Sequence, residues 1–242
     1  MIHVGTSGWE YDSWKGRFYP RELRRADRLR FFSERFSTVE VNNTFYRLPD
    51  ATTFVRWRDG SAPGFCVAVK ASRYITHIRR LRDCASSIDL FWSRCRRLGP
   101  KLGPVLFQLP PRFPADPGLL QEFVSLLPRE MRAAFEFRDR SWAREDVYEI
   151  LDTAGAALVY ADAPGARIPE VVTGGWCYVR FHRGTRARAD YPRTKLRRWA
   201  DRIASLDARE TWVYFNNDTD GAAVRDASRF AGMLRERGRP TK

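Results

Sequence analysis

The residue types able to do chemistry recur in one setting along this chain. Glu40 and Asn42 close the run TVEVN, Lys70 and Ser72 close VAVKAS, and Gln108 closes VLFQ. Glu136 and Arg138 close AFEFR, Arg180 and His182 close YVRFH, and Asn216 and Asp218 close YFNND. Thr6 ends HVGT and Asp162 ends ALVYAD, next to Tyr160. Side chains alternate along a strand, so Glu40 and Asn42 share one face while Val39 and Val41 share the other. A carboxylate in mid-strand is costly to bury unless it is paired or has a task. The set therefore describes one polar site fed by several strand ends.

Its chemistry divides by type. Glu40 and Glu136 are the candidate bases or metal ligands, and His182 is a candidate acid or base. Lys70, Arg138 and Arg180 suit an anionic substrate, with Asn42, Gln108 and Asn216 to orient it. Thr6, Ser72, Asp162 and Asp218 complete the polar rim. Trp9, Tyr46 and Trp142, with Trp14 and Tyr74, offer aromatic faces for bases or sugars, or else pack over the rim. Glu40 and Glu136 read equally as a glycosidase pair. Lys70, Arg138 and Arg180 would keep both ionised, whereas a general acid needs a raised pKa. The three histidines, His3, His77 and His182, are too few for a zinc cluster. The oxygen-rich set would instead accept a hard Mg2+ or Mn2+. No partner for a serine or cysteine nucleophile stands out, Ser7 and Ser72 included.

Strand ends converge in this way when strands alternate with helices. Extended, β-favouring runs fall at 2–6, 38–42, 65–70, 104–109, 134–138, 157–161, 177–181 and 211–216. Helical spacing of apolar residues falls at 23–36, 86–98, 116–127, 144–154, 194–206 and 220–236, more weakly at 53–59, and 164–175 reads as loop. Eight strands and about seven helices in 242 residues match an α/β fold, a (β/α)8 TIM barrel with a parallel eight-stranded sheet. The first turn, Gly5-Thr6-Ser7-Gly8-Trp9, lacks the glycine spacing of a dinucleotide-binding sheet. One domain over 1–242 is the expectation. In a barrel, the polar strand ends face one mouth and the apolar parity lies under the helices.

The 43 Lys and Arg against 29 Asp and Glu give a net charge of +14. That charge permits a polyanionic partner, nucleic acid or a phosphorylated small molecule. Lysine is scarce, and an arginine-rich composition can also follow from a G+C-rich genome. The charge clusters at 182–198, HRGTRARADYPRTKLRR, after the seventh strand, where this fold commonly binds phosphate. No apolar run is long enough to span a membrane. No signal-peptide pattern opens the chain, and the four cysteines lack metal or disulfide spacing, which predicts a cytoplasmic protein with reduced thiols.

The ordered motifs GTSGWEYDSWKGRFYP, TVEVNNTFYRLP, FCVAVKASRYITH, GPVLFQLPPRF, AFEFRDRSW, YVRFH and YFNND resemble the YecE-like family, a domain of unknown function numbered seventy-two. The resemblance runs from Val4 to about Phe230. It implies a (β/α)8 barrel related in shape to the xylose isomerase and endonuclease IV type. With that shape comes the expectation of a nucleic-acid-related role, catalytic or purely binding.

Overall fold

The structure, a computed structural model, describes residues 1–163, 171–182 and 189–241. Eight parallel strands close into a barrel in sequence order. They are β1 Ile2–Ser7, β2 Thr38–Val41, β3 Cys66–Lys70, β4 Leu102–Gln108, β5 Ala133–Glu136, β6 Ala157–Asp162, β7 Cys177–Phe181 and β8 Thr211–Phe215. The helices between them are α1 Arg28–Ser33, α2 Asn43–Tyr46, α3 Ala51–Gly60, α4 Ala85–Cys95, α5 Pro117–Ser125, α6 Glu145–Thr153, α7 Arg193–Ser205 and α8 Ala222–Glu236. The expected TIM barrel is therefore the observed fold. Among the described residues no helix is long and apolar enough to cross a membrane.

The first expected helix, 23–36, is shorter than its periodicity suggests. Residues Arg25–Asp27 form a 3-10 turn, and α1 proper begins at Arg28. Its spacing of Leu29, Phe32 and Phe36 reflects packing, since Phe32 lies fully buried against Phe36, Trp14 and Phe65. In the connection at 164–175, residues 164–170 lie outside the described residues, and 171–175 hold only turn.

The barrel wall separates two apolar layers. Val39, Val67, Val69, Val105, Phe107, Phe135, Val179, Phe181, Val213 and Phe215 pack outward under the helices. Inside, Ala68, Leu106, Ala134, Ala157 and Val159 from β3 to β6 face Tyr178, Trp212 and Tyr214 from β7 and β8. The small residues of one half make room for the large ones of the other. At the N-terminal end His3 stacks on Trp212 with centroids 3.9 Å apart, and its Nε2 meets Glu210 at 2.8 Å. Arg132 also pairs with Glu210 and lies over both Trp176 and Trp212. His3 thus belongs to the barrel floor, at the end opposite the polar strand termini.

Two glycines test this account. A Cβ on Gly5 would stand 2.0 Å from the Thr38 carbonyl oxygen, so β1 and β2 approach too closely for any side chain. Gly5→Ala should lower the unfolding free energy by about 3 kcal/mol, as core overpacking does. Gly232 in α8 has nothing within 4 Å of that position, and Gly232→Ala should stabilise by about 0.5–1 kcal/mol. Urea midpoints of the two variants, with unchanged slopes, would check both signs.

Candidate functional site

Register brings the polar strand ends together. Ser7 stands beside Glu40, Gln108 beside Glu136, and Arg180 beside Ala161 and Tyr214. Lys70 pairs with Leu106, two residues below Gln108, so its side chain reaches upward to that amide. At the centre lies Arg180, 1 % exposed. Its Nε and Nη2 donate to the two oxygens of Glu40 at 2.9 and 2.8 Å. Its Nη1 donates to Glu136 Oε2 at 2.6 Å and to Gln108 Oε1 at 3.3 Å. One guanidinium thus bridges both buried carboxylates, in the two-pronged geometry for which arginine is suited.

Glu40 has further donors. Ser7 Oγ donates to Oε1 at 2.6 Å, Asn42 Nδ2 at 3.2 Å, and Tyr178 Oη donates to Oε2 at 2.7 Å. Burial alone would raise its pKa, but the Arg180 charge and these hydrogen bonds outweigh burial and hold it below its ordinary value. Glu136 behaves alike: burial is overcome by Arg180, then by His182 and Arg138, and its pKa lies far below normal. Tyr178 is pushed well above the usual phenol range, first by burial and then by the Glu40 charge, and so remains a donor.

The upper layer is less enclosed. Arg138 pairs with Glu136 Oε1, and its Nη2 lies 3.1 Å from His182 Nε2. That imidazole nitrogen is 3.5 Å from Glu136 Oε1, and Asn216 Nδ2 lies 3.4 Å from Nδ1. Burial lowers the His182 pKa, with Arg180 and Arg138 adding to burial against Glu136, so the ring is neutral at pH 7. Lys70 Nζ donates to Gln108 Oε1 at 2.9 Å and sits 4.1 Å from the centre of the Phe45 ring. Burial, then the charge of Arg180, brings its pKa down to about 8.

The structure gathers Glu40, Asn42, Lys70, Gln108, Glu136, Arg138, Arg180, His182 and Asn216 as the strand pattern implies. Other expected members stand elsewhere. Strand β1 extends to Ser7, so Thr6 has the outward parity and its hydroxyl donates to the Gly8 carbonyl. Ser7 takes the inward place. On β6 it is Ala157 and Val159 that face inward, while Tyr160 packs among the helices with Arg202 over its ring. Asp162 shares that outward parity and pairs with Lys195 of α7 at 2.7 Å. Asp218 accepts from Trp14 Nε1 at 2.8 Å, and Ser72 Oγ accepts from the Tyr74 amide.

The aromatic platform shrinks as well. Trp9, Trp14 and Trp142 are buried, Trp142 stacking on Phe137 with its Nε1 on the Phe113 carbonyl. Tyr46 and Tyr74 remain exposed at 73 % and 47 %. Beside Glu40, a cavity of about 220 Å3 is lined by Ser7, Trp9, Tyr11, Asn42 and Trp57, among others. Tyr178 and Tyr214 were not singled out from the sequence. Their signal was the alternation of YVRF and WVYF, which places them on the faces of Arg180 and Asn216. Residues 183–188 of the basic segment lie outside the described residues.

Among the described residues no three His, Cys, Asp or Glu side chains group as metal ligands. Five donated hydrogen bonds already occupy Glu40. Both carboxylates are better described as the neutralised floor of the mouth than as bases.

The comparisons with known proteins agree with this fold. A family model described as "Protein of unknown function DUF72" matches residues 3–242. The chain belongs to the DUF72 family. It is 26% identical to the UPF0759 protein YunF of Bacillus subtilis, over 97% of this chain and 95% of that one. It is 30% identical to the UPF0759 protein YecE of Escherichia coli K12 over 57% of this chain, a match that spans only about half (48%) of the relative's length. Among solved structures, a DUF72 family protein of Thermotoga maritima superposes with a TM-score of 0.87 at 29% identity, covering 97% and 99% of the two chains. A Clostridium acetobutylicum glycoside hydrolase family 30 xylanase reaches 0.52 at 11% identity, covering 97% of this chain and 70% of that one, a likeness of fold alone.

In DUF72 terms the mouth depends on Arg180. Arg180→Met should cost about 3–5 kcal/mol, because two buried carboxylates lose their partner. The folded pKa values of Glu40 and Glu136 lie below the ordinary 4.5, so their stabilisation is complete above that pH and fades as pH falls through and below it. Denaturation between pH 3 and 7 should show this acid loss in the wild type. In Arg180→Met only Ser7, Asn42 and Tyr178 still oppose burial at Glu40, and Arg138 and His182 at Glu136, so the fall over that acid arm should be smaller than in the wild type.

Proposed function

We propose that the mouth binds and hydrolyses an anionic substrate, a nucleic acid or a phosphorylated compound, in the cytoplasm. The observation that carries this reading is the charge balance of the mouth. Lys70, Arg138 and Arg180 stand against Glu40 and Glu136, with His182 neutral, which leaves one positive charge in a nearly dry site. Arg180 bridges both carboxylates and Arg138 shares Glu136, so the surplus charge lies in the upper layer of Lys70 and Arg138.

In this reading Lys70 and Arg138 hold the phosphoryl oxygens and stabilise charge that develops on them. Asn42, Gln108 and Asn216 orient the bound group. Neutral His182 takes the proton of an attacking water, and Glu136 behind it steadies the imidazolium that forms. Tyr46 and Tyr74, exposed at the rim, offer faces on which bases can stack. The +14 charge of the chain favours the encounter. A Mg2+ or Mn2+ ion would have to share its oxygen ligands with guanidinium groups. The glycosidase reading is weaker, since neither carboxyl has the raised pKa that protonating a leaving group needs.

Fluorescence anisotropy of single- and double-stranded oligonucleotides over a salt series tests the binding half. Affinity should fall linearly with log salt, and Lys70→Met and Arg138→Met should each weaken binding by about tenfold. No binding at low salt would sink the nucleic-acid reading, and calorimetry with inorganic phosphate would then test the smaller ligand. For the catalytic half, His182→Gln should abolish turnover of a phosphodiester and leave binding within about twofold.

A further inference from the structure

The choice of lysine at position 70 carries information. Of the 43 cationic residues only five are lysine: Lys15, Lys70, Lys101, Lys195 and Lys242. The ion pairs of the mouth are made by arginine, at Arg180 and Arg138. Among the other described lysines, Lys101 caps the carbonyls of Arg58 and Ser61, Lys195 pairs with Asp162, and Lys15 is exposed. Lys70 differs from them all. It ends β3 at the barrel mouth and is 9 % exposed. Its backbone carbonyl is pinned by Thr44 Oγ1 at 2.7 Å.

The surroundings of its amine are unusual in kind. Its hydrogen-bond partner is the neutral Gln108 amide oxygen, which Arg180 Nη1 shares, and the face of Phe45 lies beside it. Among the described residues it makes no ion pair, because both buried acids are held by Arg180. A merely anion-binding position would be served as well by arginine. Glu40 and Glu136 act on this amine only from a distance and less than burial and Arg180 do. An amine in a poorly hydrated pocket beside a fixed guanidinium, with no carboxylate paired to it, is how a lysine is made nucleophilic.

We propose that Lys70 is an imine-forming nucleophile toward a carbonyl compound that also carries an anionic group. The inference rests on the anion-binding reading of the same mouth, where Arg138 takes the carboxylate or phosphate. The neutral Lys70 amine attacks the carbonyl carbon, a C–N bond forms, and the carbonyl electron pair moves to oxygen, which takes up a proton. That proton comes from the attacking nitrogen; a second, from solvent, lets the oxygen leave the carbinolamine as water, with the nitrogen lone pair completing a protonated C=N. Nothing is oxidised or reduced. The amine pKa of about 8 leaves roughly a tenth of Lys70 neutral at pH 7, against a negligible share at the ordinary 10.5.

Reductive trapping tests this with the intact chain. The protein is incubated with sodium cyanoborohydride and either pyruvate, glyceraldehyde 3-phosphate or acetone, and adducts are mapped by peptide mass spectrometry. We expect a single dominant adduct on Lys70, formed about tenfold faster with the two anionic carbonyls than with acetone. Its rate should rise with pH through 8. Lys70→Arg should lose the adduct, and calorimetry of the unsubstituted protein with inorganic phosphate should show binding. Labelling spread evenly over Lys15, Lys101 and Lys195, an unlabelled Lys70, or equal rates for acetone and pyruvate would overturn the proposal. Phosphate binding without any adduct would defeat this inference alone, whereas absence of phosphate binding would defeat the reading beneath it.

Discussion

A single guanidinium between two buried carboxylates sets the terms for the rest of this barrel. Arg180 cannot lose its proton, so Glu40 and Glu136 have a fixed counter-charge and remain ionised although buried. Exchanging such a triad for apolar residues often costs nothing or even stabilises, so stability alone is a weak reason for it to be there. What the triad supplies is order. Ser7, Asn42, Tyr178 and Gln108 all orient on atoms of this one network, which fixes the mouth to within a hydrogen bond.

The remainder of the interior packs beneath Arg180. Arg180 stands in register with Ala161 on one side and Tyr214 on the other, while Ala68, Ala134 and Ala157 make room for the aromatic side chains of β7 and β8. The tyrosines beneath, Tyr178 and Tyr214, fill the middle of the barrel and direct their hydroxyls to Glu40 and Thr38. Below them the stack of His3, Trp212 and Arg132 closes the floor. The other two cations of the mouth, Lys70 and Arg138, stand in the layer above the triad.

Much of this was legible in the sequence, because two of its signals are rigid. Alternation within a strand has a period of two, so once TVEV, AFEF and YVRF read as strands, Glu40, Glu136 and Arg180 had to share the inner face. The eight-fold recurrence of such strands then fixed the barrel. Where the pattern misled, the strands offered no polar contrast in the right place. On β6, Ala157, Val159 and Ala161 point inward and Leu158, Tyr160 and Asp162 outward, and the polar residues made the outer face resemble an inner one. On β1 the error was one residue at the strand end, which exchanged Ser7 for Thr6. The partition of Arg180 between both acids was not legible either. It depends on which side chains meet across the barrel, a long-range fact that strand parity does not contain. For Trp9, Trp14 and Trp142 the sequence leaves open whether they pack over the rim or present their faces, since an aromatic loop residue reads alike either way, and packing is what the structure shows.

The central claim is that Arg180, with Arg138 at Glu136, engages both buried acids and leaves Lys70 as a poorly solvated amine with no carboxylate partner. NMR titration of the lysine side-chain 13Cε–15Nζ signals tests it most directly, and with five lysines in the chain the spectrum is simple to assign from Lys70→Arg. The account predicts a Lys70 midpoint near 8. A midpoint at its ordinary 10.5 would mean that a carboxylate of the mouth belongs to Lys70 after all, and the division of charge described above would be wrong.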